Sequence, residues 1–91
     1  MTDQHAPPQK IRVERVQTGV RMEKRMLKVL KGLAEYLDIS LGDLLEGIVL
    51  HALDGKPLPV NDDLMHKVQA LKQVYNMDYD SSAAHQFEEI E

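Results

Sequence analysis

The stretch RVQTGVRM, residues 15–22, decides how the rest of the chain is read. Val16, Thr18, Val20 and Met22 alternate with Arg15, Gln17, Gly19 and Arg21, which is the period of two that sends successive side chains to opposite faces of a strand. β-Branched residues occupy much of the apolar row, where a pleated and half-buried surface accommodates them best. A strand is therefore predicted within 11–22, and it is the only convincing one in the chain. A single strand leaves its own N–H and C=O groups without a ladder. The economical solution is a second copy of the same protein, related by a two-fold axis, whose strand pairs antiparallel with the first.

From about Glu23 the period changes. Met26, Leu30, Leu33 and Leu37 recur at helical spacing, with Leu27, Val29 and Ala34 widening the stripe and Lys24, Arg25, Lys28, Lys31 and Glu35 opposite. Ser40 reads as the N-cap of a second helix, with Asp43 three residues on, and Leu44, Leu45, Ile48, Val49, Ala52 and Leu53 form its stripe up to Asp54-Gly55. KPLPV is a proline-punctuated connection. Asn61 or Asp62 can cap a third helix through Leu64, Val68, Leu71 and Tyr75, and Asp80 a last short helix through Ala83, Ala84, Phe87 and Ile90. The organisation expected is a disordered arm over 1–10, a strand-helix-helix dimerisation domain over 11–55 and a helical extension over 56–91.

With 91 residues the chain is one domain, of a size that often gains stability by oligomerising. It has no cysteine, which excludes disulfides, a thiolate nucleophile and cysteine-bound metal, and fits a cytoplasmic location. No apolar run is long enough to span a membrane, and MTDQHAPPQK lacks the apolar core of a secretory signal. The net charge of −4 conceals an asymmetry. Lys10, Arg12, Arg15, Arg21, Lys24, Arg25, Lys28 and Lys31 face only Glu14 and Glu23, and the remainder is strongly acidic. Such a band either solvates a strand and a helix face or contacts phosphates.

In a paired ribbon, Arg15, Gln17, Gly19 and Arg21 would point away from the core. Arginine can grip guanine and glutamine adenine in a major groove, which a two-stranded ribbon fits. Lys24, Arg25 and Lys28 would reach the backbone. These residues resemble the ribbon-helix-helix family of dimeric bacterial and phage repressors, from about Arg15 to Leu53, through VQTGVRM, the first helix and AEYLDISLGDLLEGIV. The resemblance implies a mainly α fold with one strand paired across a homodimer, and a transcriptional repressor whose strand residues Gln17, Gly19 and Arg21 enter the major groove. It also implies that the turn of Ser40, Leu41 and Gly42 binds phosphate through backbone N–H groups. The dimer interface would take Val16, Thr18, Val20 and Met22 from the strand, with Leu30, Leu45 and Val49 from the helices. The chain departs from the family at Gly19, which has no side chain to read with, at Gly42 in place of a common serine, and at Glu46, where many relatives are basic.

Other chemistry finds little support in the residues. Asp62 with His66, and His85 with Glu88, share helix faces at spacings that suit a metal, but two ligands make an incomplete site. Ser82 and His85 stand at helical spacing without a nucleophile elbow or an acid–base partner. Neither an enzyme nor a cofactor is expected. The third helix either packs back on the dimer or gives residues 57–91 a docking face for a protein partner. An antitoxin, in which a DNA-binding dimer carries a toxin-wrapping extension, combines both properties. A dimeric protein-interaction module without DNA binding is the competing reading, motivated by Gly19, Glu46 and the acidic second half.

Overall fold

The computed structural model describes residues 10–90. It is a small all-helical fold of three helices, α1 (Lys24–Leu37), α2 (Leu41–Leu53) and α3 (Asp62–Val74), followed by one 3-10 turn over Ser81–Ala83. The arm expected over 1–10 lies outside the described residues except for Lys10.

Each helix begins where a side chain can accept from its free N–H groups. The Glu23 carboxylate accepts from the N–H of Arg25 and Met26, Ser40 Oγ from Asp43 N–H and Asn61 Oδ1 from Leu64 N–H. All three helices stop in the same way. The backbone turns into the left-handed region at Asp38 (φ 59°), Gly55 (φ 66°) and Asn76 (φ 56°). The next residue then donates five positions back, Ile39 to Ala34, Lys56 to His51 and Met77 to Lys72, at 2.8 to 3.0 Å. That is the Schellman arrangement, and it satisfies carbonyls that a helix end leaves open. Among the three, only Gly55 adopts that backbone without a Cβ to accommodate.

α1 is the central element, with α2 packed on one side and α3 on another, while α2 and α3 do not touch among the described residues. The most buried side chains are accordingly Val29 and Ala34 of α1 and Leu44 of α2. Met26, Leu27, Leu30 and Leu33 are half-buried, because two flanking helices cover parts of the stripe and nothing encloses it. At Gly32 α1 and α3 come close: a Cβ there would lie 2.8 Å from Leu71 Cδ2. α3 is thus packed on α1, with Leu71 against Gly32 and with Leu64 and Val68 half-buried.

Two expectations are corrected. First, the described residues contain no strand: 10–23 run to the start of α1 without one, so the ribbon-helix-helix class, with a strand paired across a homodimer, is not the fold observed. Period-two patterning describes where side chains point, whereas a strand also needs a ladder, and no second strand among the described residues supplies one. Gly19 adds the backbone entropy that disfavours a regular extended element. Second, the last helix expected through Ala83, Ala84, Phe87 and Ile90 is reduced to Ser81–Ala83. Asp80 does cap that turn, accepting from Ser82 N–H, but Ala84 is extended and His85 has φ 63°, which ends any helical path.

Candidate nucleic-acid interface

The cations singled out by the sequence separate into two groups in the structure. Lys24, Lys28 and Lys31 stand at i, i+4 and i+7 on the exposed face of α1, a row with a rise of about 6 Å between the first two. Lys10 and Arg12 are exposed on the segment before the helix. None of these five is ion-paired among the described residues. Lys28 Nζ lies 5.7 Å from the centroid of the Tyr75 ring, a contact that orients the ammonium and leaves its charge intact.

The other three arginines, Arg15, Arg21 and Arg25, are held by carboxylates of the same chain. Arg15 meets Glu46 side-on, Nε to Oε2 at 3.1 Å and Nη2 to Oε1 at 2.9 Å, the bidentate geometry that suits a guanidinium. The hydrogen bonds and charge of Arg15 hold the Glu46 carboxyl below its ordinary range. Arg21 pairs with Glu89, and both side chains are largely exposed. Arg25 bonds Glu23 at 3.1 Å and Asp78 at 3.2 Å, and donates to the carbonyl of Asn76 at 3.1 Å. Gln17 and Gly19 are exposed and no element arranges them into a reading face; nothing lies within 4 Å of the position a Cβ on Gly19 would take.

The turn expected to grip phosphate is a conventional helix start. Ser40 Oγ accepts from Asp43 N–H at 3.0 Å. Leu41 is half-buried and Gly42 exposed. Asp43 already places an anion in the first turn, where it interacts favourably with the helix dipole and repels a second anion. No group of three His, Asp or Glu residues able to hold a metal occurs among the described residues.

The residues expected at a dimer interface divide in the same manner. Val16 is 79% and Val20 75% exposed, Thr18 is exposed, and Met22, Leu30 and Leu45 are half-buried. Val49 is 51% exposed and lines, with Val13, Leu45 and Leu50, an open and mostly apolar groove of about 450 Å³ between the N-terminal segment and α2. Leu53, 78% exposed, lies beyond on the same helix.

A cluster at the start of α1 is not visible in the sequence. Tyr79 O–H donates to the Glu23 carboxylate, which already accepts from two backbone N–H groups and from Arg25 Nε. Desolvation opposes ionisation of Glu23, but these donors outweigh it and hold the carboxyl at about 2. Tyr79 is pushed up to about 12 by desolvation and by donating to that carboxylate. The Tyr79 and Phe87 rings meet edge to face, centroids 5.2 Å apart. Glu23 and Tyr79 are 56 positions apart, so no local spacing announces the contact; the break in helical pattern at NMDYD was the available signal.

No helix among the described residues is long and apolar enough to cross a membrane. Comparison with known proteins returned no match, whether to a family model, a curated protein or a solved structure.

Proposed function

We propose that this chain is a homodimeric DNA-binding protein that grips the phosphate backbone with its basic band, a role that fits transcription regulation in the cytoplasm. The observation that carries the reading is the exposed row of Lys24, Lys28 and Lys31 on rigid helix α1, preceded by Lys10 and Arg12, with no carboxylate paired to any of them among the described residues. Ammonium groups held in register on a helix release counterions from a polyanion, which gives affinity without sequence information. The second copy is supported by the apolar groove of Val13, Leu45, Val49 and Leu50, which the chain itself leaves open.

The test is fluorescence anisotropy of a short labelled duplex titrated at about 50 and 200 mM salt. Micromolar affinity at the lower salt should collapse at the higher, and replacing Lys24, Lys28 and Lys31 by alanine in both subunits of the dimer should lower the salt slope by roughly five. Absence of binding at low salt would remove this reading.

A second reading is a dimeric protein-interaction module that does not touch DNA. What favours it is the pairing of Arg15 with Glu46 and Arg21 with Glu89, which occupies two of the residues assigned to base reading. A dimer by analytical ultracentrifugation, combined with no duplex binding at low salt, would select it.

A further inference from the structure

Residues 77–90 return to the start of α1 and lay acidic side chains on the basic band. Asp78 bonds Arg25, Glu89 pairs with Arg21, and Tyr79 donates to Glu23 while its ring lies 5.3 Å from the Arg25 guanidinium carbon. Phe87 steadies the segment against Tyr79. We propose that this segment is an intramolecular clasp that competes with DNA phosphates for Arg21 and Arg25, so that DNA binding requires or drives its release. The inference rests on the DNA-binding reading and names the regulation of that same site.

Three features suit a competitor more than a structural brace. The carboxylates bind the guanidinium groups as phosphates would, through charge-assisted N–H···O contacts. Attachment within one chain gives the segment a high effective concentration at the band, so even weak ion pairs compete with an external polyanion. Its grip is also light: Phe87 is 51% and Ile90 90% exposed, no residue of 77–90 is buried, and its only regular element is the turn over Ser81–Ala83. A segment with so little burial can open without unfolding the three helices.

The experiment compares duplex affinity of the full chain with three single variants at one salt concentration, their helical content being checked by circular dichroism. Phe87→Ala loosens the clasp with no change of charge. Glu89→Gln removes the carboxylate on Arg21. Asp63→Asn removes the same charge at the start of α3, away from the band. Phe87→Ala and Glu89→Gln should each bind roughly two- to fivefold more tightly than the parent, the size expected from freeing one exposed ion pair, while Asp63→Asn should stay at the parental value. If Phe87→Ala binds no more tightly, or Asp63→Asn gains as much as Glu89→Gln, the clasp is overturned and net charge alone sets affinity. If no variant and no parent binds DNA, the DNA-binding reading fails and the clasp as its regulator fails with it.

Discussion

Glu23 caps α1, receives Tyr79 O–H and pairs with Arg25, so one carboxylate fixes both the start of the central helix and the return of residues 77–90. Because its folded value near 2 lies below the ordinary 4.5, the folded state binds the ionised form more tightly. The stabilisation is fully present above about pH 4.5 and is lost as pH falls towards 2. Glu23→Gln should therefore lower the thermal midpoint at neutral pH and flatten the acid limb between those values. Thermal unfolding across a pH series checks this, and an equally steep acid limb in the variant would exclude this carboxyl as the group responsible. Glycines offer a second contrast. Gly47 is inside α2 with nothing beyond its own helix backbone and chain neighbours within 4 Å of a Cβ, so Gly47→Ala should stabilise by about 0.5–1 kcal/mol through backbone entropy. Gly32→Ala should gain less, because Leu71 Cδ2 must move aside. Chemical denaturation of both variants gives the comparison, and a larger gain at Gly32 would contradict the close α1–α3 approach.

Between elements, the decisive contacts join residues far apart in the chain. The segment before α1 is held to α2 by Arg15 and Glu46, both exposed, so the bond is weak against water and salt. Arg15→Ala should leave the thermal midpoint essentially unchanged. If Arg15 exchanges Glu46 for a phosphate in each subunit of the dimer, the same variant should lower the slope of log affinity against log salt by about two. An unaltered slope would assign Arg15 to the α2 contact alone. Helices α1 to α3 were legible, because Ser40, the Asp54-Gly55 stop and the apolar stripes are local signals, whereas the last helix expected through Ile90 was not. The strand was not, because alternation in RVQTGVRM specifies faces and cannot supply a ladder. Neither were the Arg15–Glu46, Arg21–Glu89 and Arg25–Asp78 pairs, which depend on how separate segments come together.

At the scale of the whole molecule, only Val29, Ala34 and Leu44 are buried among the described residues, with half-buried side chains around them, and none of the described large side chains is fully enclosed. Isoleucine, valine and leucine at 11, 13, 16, 20, 49, 50 and 53 remain largely in water. A chain with so thin a core gains from association, since a second copy covering the groove beside α2 removes apolar surface that folding alone leaves wet. Unfolding midpoints should then rise with protein concentration, and Val49→Asp should abolish the rise without unfolding dilute protein. A midpoint independent of concentration, together with a monomeric mass, would exclude the homodimer.

The sequence by itself determined α1, α2 and α3, the caps at Ser40, Asn61 and Asp80, and the concentration of positive charge between residues 10 and 31, because these follow from residue type and spacing along one element. It also bounded the chemistry, through the absence of cysteine and of any complete catalytic or ligand set in its motifs. Only the tertiary structure decided that α1 lies between α2 and α3, that Arg15, Arg25 and Arg21 are answered by Glu46, Asp78 and Glu89, and that residues 15–22 form no strand. The physical reason is range. Capping and amphipathicity act within a turn or two of helix, whereas ladders, ion pairs and packing join whatever the folded chain brings within a few ångströms.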